Sequence, residues 1–194
     1  VSDFKSIFSV SPDVDRYLTL QETGLEMALQ STNGELIELR GVPQADRWQT
    51  VEVEWLIDDL SEEMVVPDIA AWGSTEFACS EPVADLLRPV LKDTCEFLPL
   101  SLNGERWYAL HVLAKYNAIN EGQTVLNYRA NGKPSRVRKF KKLVLNASGI
   151  EKDGLFRIDG CGLATYCTDG PNGLFEAVKK HGLSGLEFNQ RDVN

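Results

Sequence analysis

Residues 76–113, EFACSEPVADLLRPVLKDTCEFLPLSLNGERWYALHVL, constrain the fold more than any other stretch. Val83, Leu86, Leu87, Val90 and Leu91 recur at intervals of three and four, the period that gathers apolar side chains on one face of a helix. Apolar runs at 97–100 and 107–113 follow, joined across Asn103-Gly104, a dipeptide suited to a tight hairpin turn. The helix therefore has a sheet to lean on. Both faces of 107–113 are apolar, Trp107, Ala109 and Leu113 on one and Tyr108, Leu110 and Val112 on the other, so this strand belongs in the covered middle of a sheet. His111 lies in the same run, where a buried, hydrogen-bonded structural role is the expectation. Ser80 is placed to cap the helix, with Glu81 and Pro82 in its first turn, and Pro89 predicts a kink or a short second helical piece.

The flanking sequence adds strands. Leu25, Met27 and Leu29 precede Asn33-Gly34, and Leu36, Ile37 and Leu39 follow it, a hairpin pattern. Val51, Val53, Trp55 and Ile57 alternate with Glu52 and Glu54, giving a strand with one buried and one charged face. Residues 143–145 and 155–158 are further strand candidates. Thr168, Asp169, Pro171 and Asn172 make a helix entrance, Leu174, Phe175 and Val178 supply its apolar face, Gly182 ends it, and residues 183–188 form a last strand. The expected fold is α+β, a mixed or mostly antiparallel sheet with a few packed helices. At 194 residues the chain is long enough for one domain with a full core. No apolar run approaches the roughly 20 residues that cross a bilayer, so no membrane partner and a cytoplasmic location are expected.

Charge is unevenly spread. The net value is -9, but residues 1–100 carry 20 acidic and 6 basic groups while residues 101–194 carry 9 and 14. This asymmetry sketches two lobes within the domain, an acidic β-rich 1–75 and an α+β 76–194. An acidic face attracts basic partners and disfavours nucleic acid. The densest acidic stretch holds Asp58, Asp59, Glu62 and Glu63; it lacks His, Asn or Gly at liganding intervals and reads as an exposed loop open to a basic partner. Residues 129–142, RANGKPSRVRKFKK, contain seven basic residues and no acid. A hairpin tip around Asn131-Gly132 that meets the acidic half, or a second copy in a homodimer, fits this chain better than a nucleic-acid patch.

Catalytic patterns are scarce. Only His111 and His181 are present, residues 181–185 lack the spacing of a nucleophile elbow, and no phosphate-binding glycine loop occurs. Cys79, Cys95, Cys161 and Cys167 lie on or beside apolar stretches, without metal-site spacing, and read as free, mostly buried thiols. No catalytic residue, cofactor or metal is assigned.

Residues 67–113 and 155–188 together resemble the immunity-protein family of bacterial polymorphic toxin systems typified by a myxobacterial member. The resemblance lies in Leu86, Leu87 and Pro89; in Glu96, Phe97, Leu98 and Pro99; in Trp107, Tyr108 and Val112; and in Gly182, Leu183, Gly185, Leu186 and Phe188. Where relatives carry a Leu-Asp pair after the aromatic strand, this chain has Ile119-Asn120-Glu121. The resemblance implies a protein that binds and silences a cognate toxin stoichiometrically, without chemistry of its own. A homo-oligomeric scaffold and an unrecognised hydrolase are the alternatives. The first 66 residues match least, so the partner surface is expected there, at Trp48, Asp58, Asp59, Glu62 and Glu63, an aromatic anchor within a charged rim.

Overall fold

The computed structural model describes residues 4–24, 39–58, 61–73, 75–136 and 139–194. Strand β1 (Ile7–Pro12) comes first in the chain but joins a sheet completed only at the other end. The next six strands close into a barrel: β2 (Leu20–Glu22), β3 (Val51–Trp55), β4 (Ile69–Trp72), β5 (Glu76–Ser80), β6 (Cys95–Leu102) and β7 (Glu105–Val112). Their order around it is β2-β3-β6-β7-β5-β4, with β2–β4 and β3–β6 parallel and the other neighbours antiparallel. Closure leaves no open sheet edge here.

Small and large side chains share the barrel interior. Ala70, Ala78 and Ala109 lie opposite one another on β4, β5 and β7, with Leu98 next to them on β6. Three methyl groups in a row leave room for the indoles of Trp72 and Trp107, which are both buried. Trp107 meets Trp55 edge to face at 5.5 Å, and Trp72 meets Trp48 at 6.3 Å. The β6–β7 turn forms where expected: Asn103 and Gly104 have φ of 51° and 83°, the two successive positive angles that an Asn-Gly pair tolerates.

Helix α1 (Glu81–Leu91) connects β5 to β6. Val83, Ala84, Leu87 and Leu91 form its buried stripe, while Leu86, expected in the core, is 40% exposed. The helix runs on through Pro89 and stops two residues later, so no second piece follows. Pro89 removes one donor from the ladder, the one the Asp85 carbonyl would accept, and the helix ends within the same turn. Ser80 occupies the N-cap but its hydroxyl makes no capping bond; Glu81 instead accepts from Arg106 at 3.1 Å and from Tyr108 Oη at 3.4 Å.

After the barrel come β8 (Lys115–Tyr116), a two-stranded ribbon of β9 (Val125–Leu126) and β10 (Phe140–Lys142), β11 (Val144–Leu145), β12 (Leu155–Ile158), β13 (Thr165–Thr168), helix α2 (Leu174–His181) and β14 (Leu186–Val193). The second sheet has the order β11-β14-β1-β13-β12-β8, with β1 paired antiparallel to both β13 and β14. The fold is therefore α+β and strand-rich, with mixed sheets. The sheets do not divide at residue 75/76: the barrel takes strands from residues 20–112, and the N-terminal strand lies inside the C-terminal sheet. The hairpin expected around Asn33-Gly34 lies outside the described residues.

One apolar cluster joins the barrel's outer face, both helices and one face of the second sheet. The outer barrel face (Phe77, Cys79, Leu110), α1 (Leu87, Leu91), α2 (Leu174, Val178) and the sheet (Val10, Leu155, Cys167) all contribute to it. Phe8 stacks on Phe175 with ring centroids 4.3 Å apart. On the sheet's other face Ile7, Phe156, Ile158 and Tyr166 are covered by Ala118, Leu145 and Ile150. Two polar junctions pin the sheet to the barrel. Asp68 Oδ2 accepts from Ser184 N at 2.7 Å and Ser184 Oγ at 2.8 Å, beside Gly185, whose added Cβ would fall 2.0 Å from the Ile69 carbonyl oxygen. Deeper in, Arg157 Nη2 on β12 donates to Glu76 Oε1 on β5 at 2.9 Å, both side chains being buried.

Candidate protein-binding surface

Beyond β3, Asp58 and Ser61 are tied to each other. The Asp58 N–H donates to Ser61 Oγ at 2.9 Å, Ser61 Oγ donates to Asp58 Oδ1 at 2.8 Å, and Ser61 N–H donates to the Asp58 carbonyl at 3.0 Å. A 3-10 turn, Ser61–Glu63, follows, and the chain returns alongside residues 16–18: Val65 N–H donates to Arg16 O at 3.1 Å and Leu18 N–H to Val65 O at 3.0 Å. Leu56 N–H donates to Thr19 O at 2.9 Å. Backbone pairing thus sets residues 16–19 against Leu56 and Val65 in one wall.

Large apolar side chains are exposed along these segments. Val14, Leu56, Ile57, Val65 and Val66 are 48%, 43%, 66%, 59% and 54% exposed, half of the large exposed hydrophobic side chains found among the described residues. A concavity of about 720 Å3 lies between Val14, Tyr17, Met64 and Val65. Asp15, Asp58 and Glu63 are exposed on the same segments. The one guanidinium there, Arg16, is ion-paired to the buried Asp13 and lies over the Tyr17 ring. Exposed aliphatic side chains and exposed carboxylates thus lie on the same two segments.

The expected site residues separate. Asp58 and Glu63 belong to this wall; Asp59 and the side chain of Glu62 lie outside what the structure describes. Trp48 is placed differently. Its ring is half-buried against Trp72, and its indole N–H donates to the Pro99 carbonyl at 2.9 Å. The loop it ends is held by His111 and Glu96, which face each other on β7 and β6. Gly41 N–H donates to His111 Nε2 at 3.1 Å, so the proton sits on Nδ1, which donates to Glu96 Oε1 at 2.7 Å. Glu96 also accepts from the backbone N–H groups of Gln44, at 2.7 Å, and Ala45, at 3.1 Å. Burial holds the His111 pKa below its ordinary value against the pull of Glu96, and both ring nitrogens are engaged.

Reactive groups elsewhere are muted. Burial pushes the thiols of Cys79 and Cys95 up to about 12 and that of Cys167 up as well, so they stay protonated. All four cysteines are free, three of them buried. Among the described residues no group of three or more His, Cys, Asp or Glu side chains is arranged to hold a metal ion. Around Asn131-Gly132 the basic stretch turns in an exposed hairpin tip: Tyr128 bridges to Pro134, Arg129 N–H donates to Lys133 O at 2.8 Å, and Gly132 has φ of 74°.

The aliphatic part of the wall is not evident in the sequence. Val65-Val66 is an apolar pair ahead of Pro67, and only the backbone path reveals both side chains as exposed. No helix among the described residues is long and apolar enough to cross a membrane. No protein-family model and no curated protein matches this chain, so the resemblance to immunity proteins rests on the residues quoted for it.

Proposed function

We propose that this chain is an immunity protein that binds a cognate bacterial toxin or effector one to one and neutralises it in the cytoplasm. The observation that supports this reading best is the exposure of Val14, Leu56, Ile57, Val65 and Val66 on segments that also expose Asp15, Asp58 and Glu63. Covering those side chains removes apolar surface from water, and the carboxylates steer a basic partner and fix its register. Trp48, with its ring and N–H already engaged, is left out of the contact.

Co-expression tests this. Production of the toxic product of a neighbouring gene should arrest growth, and this chain should restore it in proportion to its amount, with the two recovered as a one-to-one complex. A bait that rescues no such arrest and recovers only itself moves a homo-oligomeric scaffold ahead. In that case the exposed basic ribbon tip at residues 127–136 would be the complement of the acidic wall on a second copy.

A further inference from the structure

The ribbon of β9 and β10 carries a charge that the rest of the chain does not neutralise. Residues 122–150 contain seven Lys and Arg and no Asp or Glu. Arg129, Lys133, Arg136, Lys141 and Lys142 are exposed, and none of them forms an ion pair among the described residues. Beside them lies a hollow of about 580 Å3 walled by Ile119, Val125, Leu126, Tyr128 and Phe140. Val125 and Tyr128 are 47% and 62% exposed. The polar groups of its lining are Thr124, Lys139 and Glu121. Thr124 Oγ1 donates to the Val144 carbonyl at 3.1 Å, while Lys139 Nζ donates to Gly160 O at 2.7 Å and lies over the Phe140 ring. Glu121 precedes β9 at the base of the ribbon, whereas Arg129 and Lys133 flank its tip.

Unpaired cations beside an exposed apolar hollow complement a ligand that brings carboxylates and an apolar side chain together. We infer that the ribbon is a second interaction surface, fitted to an acidic polypeptide segment. An aliphatic side chain of that segment seats between Val125, Leu126, Tyr128 and Phe140, and its carboxylates lie against Arg129 and Lys133 at the tip, away from Glu121. Nucleic acids and anionic membranes are polyanions that extend past the ribbon. Outside residues 122–150 they meet all 29 of the chain's acidic groups and only 13 of its 20 basic ones, which repels them. A short segment touches the ribbon alone. The lining favours the same ligand, since Ile119, Val125 and Leu126 are aliphatic and Lys139 already lies over the Phe140 ring, which leaves little for bases to stack on. This surface is on other strands than the wall assigned to the toxin and has the opposite charge, so it stands or falls separately from that reading.

The probe is the peptide Glu-Glu-Leu-Leu-Glu-Glu with a fluorescent label, titrated with the whole chain by anisotropy at low and high salt and located by backbone amide shifts. Binding that weakens with salt and moves the resonances of Val125, Leu126 and Tyr128 is expected. The peptides Glu-Glu-Ser-Ser-Glu-Glu and Gln-Gln-Leu-Leu-Gln-Gln should each bind about tenfold more weakly or worse. Arg129→Glu with Lys133→Glu, and separately Tyr128→Ala, should weaken the parent peptide by a similar factor at unchanged melting temperature, because all three side chains are exposed. Absence of binding, or equal binding of the serine peptide, would overturn the proposal. So would a short oligothymidine that binds more tightly than the peptide, which would make this a nucleic-acid surface. Salt-sensitive self-association of the free chain, lost in the double charge reversal, would overturn it by making a second copy the occupant.

Discussion

His111 and Glu76 give stability opposite dependences on pH. The folded pKa of His111 lies below its ordinary 6.5, so the unfolded chain takes up the proton more readily. The contribution of His111 is in place above pH 6.5 and is lost as pH falls below it towards the folded value. Glu76 behaves the other way. Its pKa is raised from 4.5 to about 7, so the folded chain holds the proton more tightly, and stability declines as pH rises through that window. In thermal melts across this range, His111→Gln should lose the acid-side decline and Glu76→Gln the decline between pH 4.5 and about 7. Parallel profiles for wild type and both variants would show that other groups titrate.

Helix α1 and the barrel make sharper demands on side-chain size. Leu87 is fully buried and Leu86 is 40% exposed, so truncation should discriminate between neighbours. Leu87→Ala is expected to cost about 2–5 kcal/mol, and Leu86→Ala about 0.5 kcal/mol or less, by denaturant unfolding. Ala109, in the small row of the barrel, has no room to grow: Ala109→Leu should cost about 1–3 kcal/mol through overpacking. Equal costs at Leu86 and Leu87 would contradict the buried stripe. The helix and the β6–β7 hairpin were legible because periodicity and an Asn-Gly turn are local signals. Which arc of α1 faces inward was not, because Ala84 is buried by its neighbours and not by its own hydrophobicity. Barrel closure was hidden for another reason. It depends on the parallel pairings β2–β4 and β3–β6, where strands distant in sequence meet with no turn to announce them.

At the scale of the whole molecule, β1 between β13 and β14 closes the chain on itself, and the Asp68–Ser184–Gly185 junction ties that sheet to the barrel. Gly185 has φ of 105° and no space for a Cβ, so Gly185→Ala should destabilise the fold by about 2 kcal/mol or more. Of the proposed toxin-binding surface, the carboxylates Asp58 and Glu63 stand in the sequence as part of an acidic run. The exposure of Val65 and Val66 is not written there, since it follows from the path of the backbone after Ser61. Replacing Asp58, Asp59, Glu62 and Glu63 together by alanine should weaken toxin binding and flatten its salt dependence. The most direct measurement is the affinity of the captured toxin for the wild-type chain and for an Ile57→Lys, Val65→Lys variant, at low and high salt. One-to-one wild-type binding that weakens with salt is expected, with a loss of about tenfold or more in the variant at unchanged melting temperature. Equal affinity for the two chains, or salt-independent binding, would contradict the account of this surface.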